Sequence, residues 1–258
     1  MKRIIVFIMV IVTILALCAT VASAKDNNAY SWYCIRTKNN NQPPLPSEFN
    51  FINDYNGYYI GKDSDEKVIY MTFDVGYENG NVEKILDILK DHNAPAAFFI
   101  LSNLVEKNPE LITRMADEGH TLCNHTSKHK DMTKISDIES FEAEISALER
   151  LCYDKTGKTV AKYFRPPEGK FNENTLKFAN TLGYKTIFWS FAYADWDNNN
   201  QMSVEKAKEK VLSNVHNGAV MLFHPTSKTN ALILSDVLTE LENKGYRFGT
   251  LDELTLQN

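Results

Sequence analysis

The sequence predicts an α/β fold in which parallel strands alternate with helices. From residue 67 onward, short runs rich in β-branched and aromatic residues, such as KVIYMTF and AVMLFH, alternate with stretches whose apolar residues recur at helical spacing, such as VEKILDILKDH. About seven such strands follow one another, and the segments that link strands to helices are short. This alternation is typical of a parallel sheet, which either closes into a barrel or stays open with helices on both faces.

The strands are predicted, in chain order, at KVIYMTF, AAFFIL, HTLCNH, KYF, YKTIFWS, AVMLFH and YRFGTL. Helix boundaries are marked by capping residues and glycines. Asn108 followed by Pro109 starts one helix, and Ser136 with Glu139 forms a capping box at the start of a longer one. Three of the helices are predicted to end at glycines, namely Gly119, Gly183 and Gly245.

Composition and charge restrict the function classes. The chain of 258 residues is 43% hydrophobic and 24% charged, which is ordinary globular composition and enough for one large domain or two small ones. Its net charge is −5, and residues 25–258 alone carry −7, from 26 basic and 33 acidic residues. A polyanionic partner such as nucleic acid is therefore not expected.

Residues 1–24 have the pattern of a secretory signal peptide. Lys2 and Arg3 precede an apolar run from Ile4 to Leu17, and the segment ends in Ala-Ser-Ala at residues 22–24. We therefore expect the protein to be exported, to the cell envelope or the extracellular space, including the space around a forespore. The alternative is an uncleaved anchor, because the run to Val21 is nearly long enough to cross a bilayer.

Residues 25–64 differ from the rest of the chain, and we expect an extension that packs on the main domain at residues 65–258. The string KNNNQPPLPSEFN predicts irregular structure. The segment is nevertheless too aromatic for a disordered tail. Its aromatic residues include Tyr30, Trp32, Tyr33, Tyr55, Tyr58 and Tyr59. The alternative is a flexible tether from the membrane.

Reactive side chains follow five of the predicted strands. In a parallel sheet or barrel, the carboxyl ends of the strands meet at one rim, where active sites form. The sequence therefore predicts one site containing an arginine, two carboxylates and three histidines. In chain order, these residues are Asp74, His125, His129, Arg165, Asp195 and His224.

Each of these residues has an ordinary structural explanation when taken alone. Asp74 could be a cap or turn residue, and His224 could be a core histidine whose hydrogen bonds are satisfied. Arg165 could form an ordinary ion pair at the surface. If their segment turns helically, the rings of His125 and His129 fall on one face and can bind one metal ion, but HxxxH also occurs by chance. Joint placement after successive strands is what favours a site.

The remaining histidines and cysteines are expected to be structural. His92, His120 and His216 do not follow strands. The three cysteines beyond residue 24 cannot form a paired framework and lack C-x-x-C spacing. They are Cys34, Cys123 and Cys152.

The string RPPEG at residues 165–169 predicts a rigid corner. Pro166 and Pro167 cannot donate backbone hydrogen bonds and restrict the direction of the chain. Gly169 permits a sharp exit. The corner therefore presents the side chain of Arg165 and the backbone N–H of Glu168.

Together, the strings TFDVG, HTSKH, RPPEG, ADW and LFH resemble the five motifs of the polysaccharide deacetylase family, a group of carbohydrate esterases related to chitooligosaccharide deacetylases. Their order and spacing fit from about residue 67 to the C-terminus. DVGYENG, FWSFAYADWD and LFHPTSKTNA resemble more closely the delta-lactam-biosynthetic de-N-acetylases of spore-forming bacteria, which act on muramic acid in the peptidoglycan of the spore cortex. The resemblance implies a distorted (β/α) barrel of about seven strands, and hydrolysis of an N-acetyl amide on a sugar.

The resemblance also implies the catalytic roles. A divalent metal, for which we expect zinc, would bind His125 and His129, polarise the carbonyl and activate a water molecule. Asp74 would be the general base, and His224 would protonate the departing amine as the general acid.

Further roles follow from the same resemblance. Arg165 would orient Asp74 and keep it ionised, Asp195 would hold His224, and the N–H of Glu168 would stabilise the oxyanion. The residues expected to form the substrate groove are Trp196, Leu222, Pro166 and Lys170.

The sequence departs from the family pattern at three positions. Most members have a second, metal-binding aspartate in the first motif, where this chain has Val75. We therefore expect a weaker metal site with more water, or an Asp74 that both binds metal and acts as base. The sporulation branch also lacks that aspartate, so Val75 is interpreted as a branch feature. Glu168 replaces a common tyrosine, and Ala192 replaces an aspartate found in many members.

The expected substrate is N-acetylmuramic acid in peptidoglycan glycan strands, with no stem peptide on its lactyl group. Deacetylation frees an amine close enough to the lactyl carboxylate to close a six-membered lactam, and Lys170 is expected to bind that carboxylate. The alternatives are an N-acetylglucosamine deacetylase of chitin or vegetative peptidoglycan, an O-acetyl esterase, and a non-catalytic wall-glycan-binding module. We expect a monomer, which would contact a membrane only through an uncleaved N-terminal segment.

Overall fold

The computed structural model describes residues 27–37, 39–63 and 65–256. The predicted signal segment at residues 1–24 lies outside the described residues. Among the helices that the structure describes, none has both the length and the hydrophobicity needed to cross a membrane.

The described residues form short strands, α-helices and three 3₁₀ helices. The strands are β1 (Tyr30–Ser31), β2 (Gly57–Tyr58), β3 (Val68–Val75), β4 (Ala96–Ile100), β5 (Thr121–Asn124), β6 (Tyr163–Phe164), β7 (Lys170–Phe171), β8 (Lys185–Ile187), β9 (Ala219–Phe223) and β10 (Arg247–Phe248). The α-helices are α1 (Val82–Asp91), α2 (Ser102–Lys107), α3 (Pro109–Asp117), α4 (Ile138–Thr156), α5 (Glu173–Thr181), α6 (Val204–Leu212), α7 (Lys228–Asn243) and α8 (Leu251–Leu256). The 3₁₀ helices are Ser47–Tyr55, Met132–Lys134 and Pro167–Gly169.

The central sheet is parallel and curls into a distorted barrel. Its strand order is β10-β3-β4-β5-β6-β8-β2, and β9 also pairs with β3. After β8, Phe191 forms a bridge with Met221 of β9, which brings the two ends of the sheet together. The predicted α/β barrel is confirmed.

Strand β3 shows how the sequence places a site residue. Ile69, Met71 and Phe73 pack in the cluster under the outer helices, whereas Val68 and Tyr70 pack in a second cluster. Successive side chains of a strand point to opposite faces, so Asp74 lies on the same face as Tyr70. The register of β3 therefore turns the carboxylate of Asp74 away from the helices.

The described part of residues 25–64 packs on the barrel. Strand β2 joins the edge of the sheet by pairing with β8, and β1 pairs antiparallel with β7. Trp32, Phe49 and Ile52 form a buried cluster with Phe171 and Phe188 of the main domain. Such aromatic packing buries a large apolar area per residue and holds the segment in place.

Two local predictions are wrong. Helix α4 begins one residue later than the predicted capping box, because the carboxylate of Asp137, not the Ser136 hydroxyl, accepts the N–H of Ser140 at 2.7 Å. Strand β8 is shorter than YKTIFWS, because the N–H groups of Ser190 and Phe191 donate to Val220 of β9 instead. Ser190 and Phe191 therefore bond to β9 and do not extend β8.

Candidate active site

A cleft of about 730 Å³ lies where the carboxyl ends of the strands meet, and the predicted catalytic residues line it. The predicted residues that contribute to its lining are Asp74, His125, His129, Glu168, Trp196, Leu222 and His224. Arg165 and Asp195 lie behind this lining, with 0% and 1% of their surfaces exposed. The barrel topology therefore brings together residues that are up to 150 positions apart in the sequence.

Arg165 is the centre of a buried hydrogen-bond network. Its Nη1 donates to Oδ1 of Asp74 at 2.7 Å, and its Nη2 donates to Oγ1 of Thr72 at 2.9 Å. Nε donates to the carbonyl of Ile187 at 2.9 Å, and Nη2 also donates to that of Phe188 at 3.2 Å. Because several acceptors hold the guanidinium, it presents a fixed positive charge to Asp74.

That charge decides the protonation of Asp74. Burial of the carboxyl raises its pKa, but the charge of Arg165, with smaller contributions from His125 and His224, outweighs burial and lowers it. Asp74 is therefore an ionised carboxylate at neutral pH. One oxygen is bonded to Arg165, and Oδ2 lies 3.6 Å from Nε2 of His125.

The hydrogen bond of His125 orients its ring. Its Nδ1 lies 2.9 Å from the carbonyl of Arg165. A carbonyl oxygen only accepts, so Nδ1 carries the proton and Nε2 keeps its lone pair. Burial lowers the pKa of His125 to about 4, so the ring is neutral at pH 7.

The loop that carries His129 is not helical, so the two rings do not meet through a helical turn. Thr126 and His129 both have left-handed backbone conformations, with φ of 71° and 54°. The N–H of Thr126 donates to Oδ1 of Asn124, and that of His129 donates to Oγ1 of Thr126, both at 2.9 Å. These local bonds curl the loop. The two imidazole rings still meet, with centroids 5.0 Å apart.

The donor set fits a cation held by two histidines. Nε2 of His125 carries a lone pair that can bind a metal ion. The Nδ1–H of the same ring is hydrogen-bonded to a backbone carbonyl, which is the usual support of a metal-binding histidine. Within residues 27–37, 39–63 and 65–256, however, no group of three or more His, Cys, Asp or Glu side chains is arranged to hold a metal. Val75 is buried at the cleft lining, where it packs against the core and offers no ligand. This arrangement therefore supports binding of a metal ion by His125 and His129.

His224 is held by a second buried carboxylate. Its Nδ1 lies 2.7 Å from Oδ1 of Asp195, and its backbone N–H donates to Oδ2 at 2.8 Å. Burial lowers the pKa of His224, but the hydrogen bond and charge of Asp195 outweigh burial and raise it. Asp195 also accepts a hydrogen bond from Nδ2 of Asn230 at 2.6 Å. His224 therefore holds a proton more readily than an ordinary histidine.

The RPPEG corner forms a short 3₁₀ turn with a left-handed residue at its centre. Glu168 has φ of 57° and ψ of 12°, although it is not glycine. The next residue, Gly169, also has positive φ, and a Cβ there would lie 2.8 Å from Cη2 of Trp189. Only glycine fits this close approach. The corner therefore turns Glu168 toward the cleft.

The predicted groove residues divide into two groups. Trp196 and Leu222 lie in the cleft lining, and the Trp196 side chain is 60% exposed. Pro166 is buried and Lys170 lies outside the lining. Nζ of Lys170 instead pairs with Oε2 of Glu168 at 2.5 Å. Lys170 therefore already forms an ion pair with the carboxylate of Glu168 at the rim of the cleft.

Sequence reasoning missed several residues of the site. Asn230 and Thr72 support the two carboxylate pairs, and Tyr77 lies in the cleft lining, where it accepts a hydrogen bond from Asn198. The string LFHPTSKTNA includes Asn230, but its contact with Asp195 depends on the first turn of α7. Thr72 is signalled only by the alternation of β3, which places it on the same face as Asp74.

The other histidines and the cysteines lie elsewhere. His92 contacts Glu242 and Ser235, His216 contacts Ser190, and burial lowers the pKa of His120 to about 4. In the described parts of the chain, the cysteines are free thiols, and burial raises the pKa of each. They are Cys34, Cys123 and Cys152.

Comparison with known proteins decides the family. Residues 61–187 match the family model described as polysaccharide deacetylase. The peptidoglycan-N-acetylmuramic acid deacetylase PdaA of Bacillus subtilis is 39% identical over 93% of this chain and 90% of its own length. The chain belongs to the polysaccharide deacetylase family. As a polysaccharide deacetylase, it is a hydrolase that acts on an amide bond.

Solved structures support this assignment. The structure of Bacillus subtilis PdaA, a family 4 carbohydrate esterase, superposes with a TM-score of 0.86 at 38% identity, and the match covers 90% of this chain and 99% of that one. The peptidoglycan-N-acetylglucosamine deacetylase PgdA of Listeria monocytogenes is 37% identical, over 76% of this chain but 40% of its own length. Polysaccharide deacetylases of this family are generally metal-dependent.

Proposed function

We propose that the protein removes the acetyl group from N-acetylmuramic acid in peptidoglycan strands, where the lactyl group carries no stem peptide, with the help of a divalent metal. The freed amine then attacks the lactyl carboxyl group, whose C–OH bond breaks with loss of one water molecule, to give muramic delta-lactam, as in spore cortex. The observation that carries the substrate class is the match to PdaA along nearly the whole of both chains. The N-acetylglucosamine deacetylase of Listeria shares a smaller part of its length.

Asp74 acts as the general base in this proposal. Arg165 keeps it ionised and holds one oxygen, which leaves Oδ2 to accept a proton from the attacking water. Placing base and water in a fixed geometry removes much of the entropic cost of the reaction.

His224 acts as the general acid. Its raised pKa keeps a proton available near neutral pH, and Asp195 fixes the ring through Nδ1, so that Nε2 is the atom that delivers the proton to the departing amine. The base belongs to the Arg165–Asp74 pair and the acid to the Asp195–His224 pair. The lowered pKa of Asp74 keeps the base ionised, and the raised pKa of His224 keeps a proton on the acid.

A metal ion would be held by His125 and His129, and when bound it would polarise the amide carbonyl and lower the pKa of a water molecule. Zinc is the ion we propose, because neutral imidazole nitrogens suit it. The residues of the chain contribute the neutral state of His125 and the orientation of its ring.

The backbone N–H of Glu168 stabilises the oxyanion in this proposal. The corner that carries it is restricted by two prolines and by a close contact of Gly169 with Trp189. A donor that is fixed before the reaction needs no reorganisation when the negative charge develops, and one such donor is typically worth about 3 kcal/mol of transition-state stabilisation.

The lactyl carboxylate needs a local positive charge, because the exported part of the chain carries −7. Arg165 is fully buried and bonded to Asp74, so it does not bind the lactyl carboxylate. Lys170, whose side chain is 40% exposed, is the candidate that we retain, and substrate binding would exchange its partner Glu168 for the lactyl group. A hydrogen bond to a charged group contributes about 1.5–3 kcal/mol.

The test of the proposed function compares three substrates at equal concentration with the purified, zinc-loaded protein. Glycan strands stripped of stem peptides are expected to be deacetylated fastest and to yield lactam, detected by mass spectrometry of the fragments. Peptide-bearing peptidoglycan and chitooligosaccharides are expected to react more slowly. Asp74→Asn is the inactive control.

Each alternative has its own outcome in this test. Chitooligosaccharides reacting fastest, with no lactam from stripped strands, would make the protein an N-acetylglucosamine deacetylase. Loss of acetate from O-acetylated strands alone would make it an esterase. Binding to strands without turnover would indicate a wall-binding module, which the intact pairs of Arg165 with Asp74 and of Asp195 with His224 argue against.

The cellular setting is part of the proposal. An exported, monomeric enzyme would meet peptidoglycan outside the membrane, and residues 1–24 have the pattern of an export signal. N-terminal sequencing of the secreted protein tests cleavage after residue 24, and light scattering tests the monomer.

A further inference from the structure

Trp32 lies in the N-terminal extension, outside residues 61–187 that match the family model. The residue is 6% exposed. Its indole is stacked between two rings, with centroid distances of 4.2 Å to Phe188 and 5.2 Å to Phe49. The stack fixes the position of the indole plane, and with it the direction of its N–H.

Trp32 donates hydrogen bonds to two different segments of the cleft lining. Its backbone N–H donates to the carbonyl of Gly169 at 2.8 Å, and its indole Nε1–H donates to the carbonyl of Trp189 at 2.9 Å. Gly169 and Trp189 both line the cleft. One residue of the extension therefore connects the RPPEG corner to the segment that follows β8.

The first hydrogen bond supports the corner at Glu168. The left-handed backbone of Glu168 is disfavoured for a residue with a side chain and persists only where its surroundings hold it. Strand β1 adds to that support, because Ser31 pairs with Lys170 directly after the corner. The bond from Trp32 to Gly169 thus holds the chain one residue beyond Glu168.

The second hydrogen bond supports the segment that holds Arg165. Three consecutive carbonyls of this segment are occupied: Ile187 accepts from Nε of Arg165, Phe188 accepts from Nη2, and Trp189 accepts from Trp32. Arg165 in turn holds Asp74. A shift of this segment would therefore move the guanidinium that orients the carboxylate of Asp74.

Arg36 gives the extension a further attachment to the same segment. Its Nη2 donates to the carbonyl of Ala192, and its guanidinium lies over the ring of Phe191, 5.1 Å from the centroid. Ala192 lines the cleft. Arg36 is more exposed than Trp32, so its side chain can be changed with less effect on packing.

We propose that Trp32 is a positioning residue for deacetylation, which aligns the backbone N–H of Glu168 with the Arg165–Asp74 pair by holding the carbonyls of Gly169 and Trp189. The inference rests on the proposed function, in which Asp74 is the base and the N–H of Glu168 stabilises the oxyanion. The oxyanion exists only during the reaction, so poorer alignment lowers kcat and leaves KM nearly unchanged.

The central test is Trp32→Phe, which keeps an aromatic ring and the backbone N–H, and removes the indole N–H together with the five-membered ring; the Phe49→Leu control accounts for the lost packing. We expect kcat to fall about three- to tenfold, the size of one net hydrogen bond, with KM within about twofold of wild type. Hydrogen exchange followed by mass spectrometry is expected to show faster exchange in the peptide that covers residues 187–192, because the carbonyl of Trp189 loses its donor.

Phe49→Leu is the matched control. Phe49 packs on the other face of the same indole, but it donates nothing to the cleft lining. This variant is expected to lower the unfolding temperature at least as much as Trp32→Phe, with kcat and the exchange of residues 187–192 unchanged. Arg36→Gln, a surface variant, is expected to lower kcat about two- to fivefold and carries the kinetic test if Trp32→Phe does not fold.

The outcomes separate this inference from the proposed function. Wild-type kcat in Trp32→Phe, or in Arg36→Gln where Trp32→Phe does not fold, would overturn the positioning role. Equal losses of kcat in Trp32→Phe and Phe49→Leu would also overturn it, because general packing would then explain the effect. If the wild-type protein deacetylates none of the substrates, the proposed function fails, and the hydrogen-exchange comparison still decides whether the Trp32 side chain orders the segment after β8.

Discussion

Asp195→Asn is the substitution whose effect the structure defines most closely. The carboxylate of Asp195 is 1% exposed and accepts three hydrogen bonds, two from His224 and one from Asn230. Asparagine has nearly the same shape, but it has one acceptor oxygen and one amide group that only donates. At least one of the three donors would face another donor in a buried site.

The loss of stability can be worked out from these bonds. A buried donor left without an acceptor costs about 1–3 kcal/mol. The raised pKa of His224 adds a pH-dependent part, because protonated His224 stabilises the fold at pH values below its unfolded pKa, and this contribution is lost as the pH rises through the higher folded pKa. We therefore expect the stability difference between wild type and Asp195→Asn to be larger in acidic than in alkaline solution.

The catalytic loss follows from the same contacts. Without the carboxylate, the pKa of His224 falls because burial remains, and the ring can adopt the tautomer that has no proton on Nδ1. We expect kcat to fall on the order of 100- to 10,000-fold, and the alkaline limit of activity to move to lower pH.

The assay measures kcat and KM against pH on the best wild-type substrate, with urea unfolding in acidic and in alkaline solution. Asp197→Asn is the matched control, because Asp197 is an exposed carboxylate in the same loop and accepts only the N–H of Asn199 in the described structure. Activity within about threefold of wild type in Asp195→Asn, or an alkaline limit that does not move, would refute the role of the pair.

Three further predictions test the rest of the site. Asp74→Asn is expected to reduce turnover by about 100-fold or more without loss of fold, measured by acetate release and circular dichroism, and near-normal activity would exclude Asp74 as the base. His129→Ala is expected to lose zinc and activity together, whereas Val75→Asp adds a ligand and should tighten zinc binding about tenfold in calorimetric titration; unchanged affinity would argue against a two-histidine site. Glu168→Gln releases Lys170 from its exposed ion pair and should lower KM about two- to fivefold for stripped, anionic strands but not for neutral chitooligosaccharides; parallel changes in both would exclude Lys170 as the partner of the lactyl group.

Much of the fold could be predicted from local patterns. The alternation of β-rich runs with helical periodicity predicted a parallel barrel, because side-chain periods of 2 and 3.6 are set by the backbone itself. Capping was less predictable, since Ser136 and Asp137 are both good capping residues, and in the structure it is Asp137 that caps the helix. Boundaries of this kind depend on the neighbouring elements.

The site was predicted as a set of residues, but its geometry was not. Asp74, Arg165 and His224 follow different strands, and parallel topology is sufficient to bring strand ends together. The HxxxH spacing would bring the two rings together on a helical turn, whereas side-chain bonds of Asn124 and Thr126 form a left-handed loop that brings the same two rings together. Spacing alone does not separate these two conformations.

By itself, the sequence determined which residues follow the strands and that RPPEG forms a corner. These features depend on backbone geometry over a few residues, so they can be derived from short strings. Only the tertiary structure decided that Asn230 supports Asp195, that Lys170 pairs with Glu168, and that Trp32 connects Gly169 to Trp189. The contacts of Trp32, the contact of Asn230 with Asp195 and the bridge between Phe191 and Met221 join segments that are far apart in the chain. Their formation depends on the packing of every element between those segments.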